Sequence, residues 1–361
     1  MTDDDLERIL AQAFDAQARA AVDESALPPA PRFTQAPARR PHRAGRVLAP
    51  LLAAAAVIAV VAGVANIGRS ENKHDVAAPR TGAGTHSTHL SSADATARPH
   101  KPVHIKLLNA DGSEYGVGMP VIAYLSKKIT SGKELQRATT ATVNGKPIQG
   151  AWFFEPSSYY KGYPIEAHWR PQTYWPAHAS VHVDISAAGL SAGDGLAYDD
   201  SLISDFTTGP RNISWVDDVK HEMTVTTDGK TYGTFPVSLG GTATPTMRGI
   251  KVIMEKGREV SMSGPGYFDA HVKYAQRLTY DGEYLHSAPW NIPNIVNGVD
   301  SSNGCTNLRP TDAQRLYRLL RVGDVVEYPN ATGPAMQAGT GYGDWDVPWS
   351  TWLTGGLVPT R

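Results

Sequence analysis

Residues 284–309 read Tyr284-Leu-His286-Ser-Ala-Pro-Trp290-Asn-Ile-Pro-Asn-Ile-Val-Asn-Gly-Val-Asp-Ser-Ser302-Asn-Gly-Cys305-Thr-Asn307-Leu-Arg309. Cys305 is the only cysteine in 361 residues, so an intramolecular disulfide is closed to it. What remains is a free thiol, an intermolecular link or a nucleophile. Most lone cysteines are small buried hydrophobes. This one follows Gly304 among small polar residues without apolar periodicity, as a reachable loop thiol would. Upstream, His286 ends the short apolar run Tyr284-Leu285, which reads as a strand. A thiol, with an ordinary pKa of roughly 8.5, is a weak nucleophile until it loses its proton. A nearby imidazole can take that proton or hold the thiolate as an ion pair. Main-chain N–H groups of the tight turn Ser302-Asn303-Gly304-Cys305 can then stabilise an oxyanion without any particular side chain.

The order His286-Ser-Ala-Pro-Trp290, then Ser302-Asn-Gly-Cys305-Thr-Asn307-Leu, resembles the signature of the L,D-transpeptidases of the bacterial cell wall. That signature is a His, a spacer and then Ser/Thr-His-Gly-Cys-x-Asn. The similarity runs from about Asn212 to the C-terminus. Residues 102–211 resemble the immunoglobulin-like domains that precede such catalytic domains in actinobacterial members. One position departs from the pattern: the second family histidine is Asn303 here.

The resemblance implies that Cys305 attacks the carbonyl of the L-centre of diaminopimelate in a peptidoglycan tetrapeptide stem. D-alanine leaves, and an amine of a neighbouring stem takes the acyl group. It further implies His286 as base, Ser287 as its orienting partner, and the backbone of Asn303 and Gly304 (with Cys305) as oxyanion donors. Tyr267, Tyr284, Trp290 and Asn307 are the implied substrate-side residues, with Asn307 and Arg309 also candidates for structural roles. No metal or organic cofactor is implied, and β-lactams of the carbapenem class are the implied inhibitors. An alternative is a wall-binding or structural homologue whose catalysis is impaired because the motif His is Asn303. A sortase or a papain-like hydrolase fits less well, because the order and spacing of Cys and His differ.

Composition frames this reading. A net charge of −1 gives no footprint for nucleic acid, and 34 Gly with 26 Pro suit a turn-rich β chain. Val47–Ile67 carries no charge and at ~1.5 Å per residue is long enough to cross a hydrocarbon core of ~30 Å. Arg32, Arg39, Arg40, Arg43 and Arg46 precede it without an acid, whereas the flank after it is mixed in sign. The positive-inside rule then places the N-terminus in the cytoplasm and the rest outside the cell membrane, held by one helix.

The expected organisation is therefore mainly β: a cytoplasmic tail (1–46), a transmembrane helix (47–67), a flexible linker (68–101), an immunoglobulin-like β-sandwich (102–211), a β-rich L,D-transpeptidase catalytic domain with a short helix (212–329), and a Trp-rich extension packing on the catalytic domain (330–361). In the tail, Leu6, Ile9, Leu10, Ala13 and Phe14 predict a marginal amphipathic helix. The linker histidines His74, His86, His89 and His100 read as solvated residues. Asn144-Gly145 and Asp228-Gly229 predict two-residue hairpin turns, and Val181, Val183 and Ile185 alternate as in a half-buried strand. Lys251–Glu255 and Arg277–Tyr280 read as strands. The stretch 261–268 between them takes the place of a short lid. Residues 310–323 predict a helix capped at Thr311-Asp312 and ended by Gly323, followed by a closing strand from Asp324.

Overall fold

The computed structural model describes residues 100–361 apart from 158–159 and 265–266, and these fall in one compact unit. The expected cytoplasmic helix, the Val47–Ile67 span and most of the linker lie outside the described residues. No helix among the described residues is long and apolar enough to cross a membrane.

The first module is nearly all strand: β1 (Lys101–Val103), β2 (Ile105–Leu107), β3 (Ser113–Tyr115), β4 (Val121–Leu125), a short helix α1 (Lys133–Ala138), β5 (Thr139–Val143), β6 (Lys146–Ile148), β7 (Ala151–Pro156), β8 (Ile165–Arg170), β9 (Ser180–Ile185), β10 (Ser191–Gly193), β11 (Leu196–Tyr198) and β12 (Leu202–Thr208). The sheet β3-β12-β9-β5-β6 and the sheet β2-β4-β8-β7 share one core, and β1-β11-β10 forms a small third sheet. On β9, Val181, Val183 and Ile185 are buried while Ser180, His182 and Asp184 face outward, as the alternation predicts. The β5–β6 turn is Asn144-Gly145 with φ of 51° and 74°, the left-handed pair that a two-residue hairpin requires.

The aromatic residues of this block are structural. Trp152, Trp169 and Trp175 are fully buried, and Trp169 stacks on Trp175 with centroids 5.8 Å apart. Trp175 donates its indole N–H to the Met119 carbonyl (2.6 Å), and Trp152 donates to Thr139 Oγ1 (2.8 Å). Trp152 and Trp175 thus bury a large apolar surface while keeping their polar atom satisfied, whereas Trp169 Nε1 has no partner among the described residues.

The second module begins with β13 (Asn212–Asp217), β14 (Glu222–Thr227), β15 (Lys230–Pro236) and β16 (Gly249–Val252). Then come β17 (Glu255–Gly264), β18 (Tyr267–Arg277), β19 (Tyr284–Ser287), α2 (Ile292–Asn297), β20 (Thr306–Leu308), α3 (Pro310–Leu319) and β21 (Val325–Tyr328). One sheet is ordered β15-β14-β13-β21-β16 and the other β17-β18-β19-β20. Asp228 and Gly229, at φ of 49° and 77°, make the β14–β15 turn as expected. The amphipathic helix α3 buries Ala313 and Leu316 in the module's core, and Tyr317 packs against Tyr274.

Three local expectations are corrected. The stretch read as a short lid is only the tip of a long antiparallel hairpin, β17–β18, that spans Glu255 to Arg277. Its charged residues, among them Arg258, Glu259 and Lys273, obscure the strand pattern, because the hairpin projects from the core. Arg277 ends β18, and residues 278–280 are not strand. The helix α3 is not capped by Thr311-Asp312. It starts at Pro310, whose fixed φ suits the first helical position, and Asp312 pairs with Arg309 Nε at 2.6 Å.

The C-terminal extension serves both modules, which also amends the expected packing on the catalytic domain alone. Its first part pairs with the second module, where Met336 N donates to the Arg248 carbonyl at 2.8 Å. The following part, with α4 (Trp349–Trp352), clamps the first module. Trp352 stacks on Phe153 of β7 at 4.8 Å and donates to the Ala151 carbonyl at 2.8 Å. The buried Arg170 guanidinium lies 3.8 Å from the Trp352 ring and 4.1 Å from the Trp345 ring. This explains why β7 is buried on both faces: Trp152 and Phe154 fill the sandwich, while Phe153 meets the clamp.

Candidate active site

Strands β19 and β20 run parallel with Leu285 opposite Thr306, His286 opposite Asn307 and Ser287 opposite Leu308. Continued back one step, this register sets Cys305 beside Tyr284, so that Cys305 and His286 are diagonal neighbours. Both line one cavity of about 230 Å³, together with Met262 and Asp269 of the β17–β18 hairpin, Trp290, Asn291, Asn294, Ser301, Ser302, Asn303 and Asn307.

His286 is 4% exposed, and its Nδ1 lies 3.0 Å from the Ser287 carbonyl oxygen. A carbonyl only accepts, so Nδ1 carries the hydrogen and Nε2 keeps its lone pair. Burial lowers the pKa of the imidazole below its ordinary value, which favours the neutral form that a base needs. Trp290, half exposed, stacks on the ring at 6.0 Å.

Cys305 is 6% exposed, and its thiol points to the Gly282 carbonyl at 3.7 Å. Burial pushes the thiol up to about 12; a hydrogen bond from the Tyr284 backbone opposes this. Glu283 raises the value further and Lys251 lowers it. The resting site is therefore a neutral thiol beside a neutral imidazole.

The turn before Cys305 is held from two sides. Gly241 N donates to the Ser302 carbonyl (2.9 Å), Thr246 Oγ1 to the Gly304 carbonyl (2.9 Å) and Ser302 Oγ to the Cys305 carbonyl (2.6 Å). Gly304 has φ of +100°, a backbone conformation that favours glycine, although a Cβ there would make only ordinary contact with Glu283 at 3.5 Å. Asn303 keeps a side-chain contact of its own, accepting from Thr244 Oγ1 at 3.5 Å. Beneath the turn, the fully buried Lys251 pairs with Glu283, whose other oxygen accepts from Met247 N at 2.8 Å. Lys251 Nζ also lies 3.8 Å over the Tyr328 ring.

The expected site residues divide as follows. His286, Cys305, Asn303, Trp290 and Asn307 converge on the cavity. Ser287 acts through its carbonyl, and Gly304 shapes the turn. Asn307 is 3% exposed and its Oδ1 has no partner among the described residues, as a group awaiting a ligand would. Arg309 holds the start of α3 through Asp312. Tyr284 does not line the cavity but packs with Met262, Val272 and Ala275 at the hairpin base. Tyr267 opens β18, and its side chain lies outside the described residues.

Sequence reasoning missed Asn291, Asn294 and Ser301. These form a linked wall: Asn294 Nδ2 donates to Asn291 Oδ1 (2.7 Å) and Ser301 Oγ (3.0 Å). The asparagine-rich run between His286 and Cys305 was the available signal. Met262, Asp269, Lys251 and Glu283 had none, because they reach the site only through tertiary contact.

A buried histidine on β19 and the chain's single thiol, in the turn that leads into the adjoining β20, meet at one cavity and define a cysteine–histidine site in a β-rich module preceded by a β-sandwich. A profile of the L,D-transpeptidase catalytic domain matches residues 211–327, and one of a bacterial Ig domain matches residues 67–191. L,D-transpeptidase 2 of Mycobacterium tuberculosis (strain CDC 1551 / Oshkosh) is 29% identical over 272 residues, covering 72% of this chain and 64% of that protein. L,D-transpeptidase 1 of Mycobacterium tuberculosis (strain ATCC 25618 / H37Rv) is 30% identical over 253 residues, covering 66% of this chain and 90% of that protein. A solved LD transpeptidase in complex with imipenem superposes with a TM-score of 0.50 at 28% identity, over 62% of this chain and 97% of that one. The chain belongs to the L,D-transpeptidase family. It spans just under two thirds of the length of the first of these relatives.

Proposed function

We propose that this protein is a membrane-anchored L,D-transpeptidase that forms peptidoglycan cross-links through an acyl-enzyme on Cys305. The observation that carries this is the fixed tautomer of His286, whose Nε2 is left free at the cavity it shares with Cys305. Nε2 takes the thiol proton as Sγ attacks the carbonyl of the diaminopimelate L-centre in a tetrapeptide stem. Main-chain N–H groups of Asn303, Gly304 and Cys305 receive the oxyanion. The imidazolium then protonates the departing D-alanine amine. An amine of a second stem, deprotonated by the same imidazole, attacks the thioester and restores the thiol.

Carbapenems are proposed inhibitors, since their strained carbonyl is open to the same attack; the related imipenem complex supports this. The test is mass spectrometry after carbapenem treatment. Addition of one drug mass to the wild type and none to Cys305→Ala is expected. An inert wild type with an active Asn303→His variant would establish instead the impaired homologue.

The anchor is the Val47–Ile67 segment, with residues 1–46 in the cytoplasm and 68–361 outside the cell membrane. The arginine asymmetry supports this orientation. Protease added to intact protoplasts should remove the bulk of the chain; trimming of the N-terminus alone would reverse the topology.

A further inference from the structure

Away from the thiol, three carboxylates and a histidine are buried together where the β-sandwich meets the second module. Glu166 and His168 lie on β8, Glu155 on β7 and Asp344 in the C-terminal extension, and all four are at most 8% exposed. Tyr280, from the loop between β18 and β19, donates its hydroxyl to Glu166 Oε1 at 2.5 Å. Both oxygens of Glu155 and Oε2 of Glu166 have no hydrogen-bond partner among the described residues. Glu155 is 3% exposed, and a carboxylate so placed is strongly destabilising unless a proton or a cation neutralises it.

The histidine is set up on both sides. Its Nδ1 lies 2.9 Å from Asp344 Oδ2, an acceptor, so Nδ1 carries the hydrogen. Its Nε2 lies 3.0 Å from Glu166 Oε1, also an acceptor, and 3.7 Å from Glu155 Oε1, so without an ion Nε2 carries a hydrogen as well, which a bound ion would replace. A carboxylate on one nitrogen and ligand oxygens around the other is the usual support of a metal-binding imidazole. Two donors on one tetrahedral zinc ion, each about 2.0–2.1 Å from it, sit roughly 3.3 Å apart, between the two observed separations. The donor atoms of Glu155, Glu166 and His168 all lie within 4.8 Å of one another.

Protonation is the competing account. Burial and the neighbouring Asp344 push the Glu155 carboxyl well above its usual range. One added proton satisfies a single oxygen, however, and leaves the other Glu155 oxygen and Glu166 Oε2 bare. With that proton on Glu155, a protonated His168 and Arg170, whose Nη2 donates to the Asp344 carbonyl at 3.3 Å, match the two remaining carboxylates, so it is the bare oxygens and not the charge count that call for a cation.

We propose that Glu155, Glu166 and His168 bind one divalent transition-metal ion, zinc being the best fit, with Asp344 orienting the imidazole. An imidazole among the ligands selects zinc-like ions over calcium or magnesium. Asp344 also lines a cavity of about 300 Å³ with Phe153, Tyr342 and Asp346. The ion is structural: it ties β7 and β8 to the Tyr280 loop and the C-terminal extension, and takes no part in the thiol chemistry.

The test uses the full chain purified without chelator. Inductively coupled plasma mass spectrometry should find close to one zinc per chain. After stripping with EDTA, adding zinc at a hundredfold its dissociation constant should raise Tm by ~5 °C or more. Glu155→Gln, which keeps the shape but removes the charge, should lose both the metal and the shift. The linker histidines offer a rival zinc site, and zinc bound there would survive this substitution. A folded Glu155→Gln that still holds one zinc, or a wild type without zinc whose Tm ignores added zinc, overturns the proposal. Should the variant fail to fold, anomalous diffraction at the zinc edge on the wild type decides: a peak among Glu155, Glu166 and His168 supports the site, and its absence there refutes it.

Discussion

The Nδ1 hydrogen of His286 is directed at the carbonyl oxygen of its own neighbour, Ser287, 3.0 Å away. A main-chain acceptor cannot be protonated or removed by a side-chain substitution, so the tautomer is fixed by the strand itself. Ser287→Ala should therefore leave carbapenem acylation within about threefold of wild type, since less than ~1 kcal/mol is at stake. His286→Ala should slow it by orders of magnitude. A large loss in Ser287→Ala would show that the hydroxyl orients the ring instead. Rates of acylation, followed by mass spectrometry over time, provide the measurement.

The thiol offers a clean pH experiment, because the chain has one cysteine. Burial favours its neutral form and pushes the pKa up to about 12. Below that value the thiolate fraction grows tenfold with each unit of pH. Alkylation of Cys305 by iodoacetamide should thus climb about tenfold per unit from pH 7 to 9 without levelling off. A plateau below pH 8 would reveal a thiolate–imidazolium pair at rest and contradict the neutral pair.

In the proposed mechanism Asn303 bears on activity through its backbone. Its side chain touches Thr244, and the turn around Gly304 is formed without a second histidine. Asn303→His should leave carbapenem acylation unchanged or modestly faster. A gain of a hundredfold or more would mean that an ionisable group beside the thiol is needed for efficient acylation.

The Lys251–Glu283 pair supports the same turn from below. Lys251→Met leaves Glu283 as an uncompensated buried charge, which costs ~3–5 kcal/mol. Chemical denaturation should show a loss of that order, with slower acylation in whatever protein remains folded. Replacing both residues, as Lys251→Met with Glu283→Leu, should recover much of the stability. If the single variant is as stable as wild type, the pair is not what holds the turn.

How much of this was written in the sequence depends on the range of the interaction. Asn144-Gly145 and Asp228-Gly229 betray their turns because positive φ is a property of the dipeptide. His286 and Cys305 are legible because thiol chemistry needs those residue types and because their order and spacing resemble the family signature. The β17–β18 hairpin reads as short because its few buried apolar residues, Met262, Val272 and Ala275, are interrupted by charged and polar ones and show no regular alternation. The resemblance implies Tyr284 at the substrate, whereas packing against Met262 and Val272 claims it. The Glu155–Glu166–His168–Asp344 cluster left no local trace. Its members are separated by up to about half the chain, and buried carboxylates look the same in sequence as exposed ones.

The clamp around Trp352 also sets an order of events. Val358 belongs to the sandwich's own core, and Gly356 pairs with Phe154 of β7, yet both follow the entire second module along the chain. During synthesis, which delivers the chain from its N-terminus, the earlier module cannot finish its interior until these late residues emerge. The sandwich made first is thus completed last. Nascent chains halted before Trp345 should leave residues 101–209 open to protease, and full release should close them. Protection already complete in the halted chains would show that the sandwich matures without its clamp.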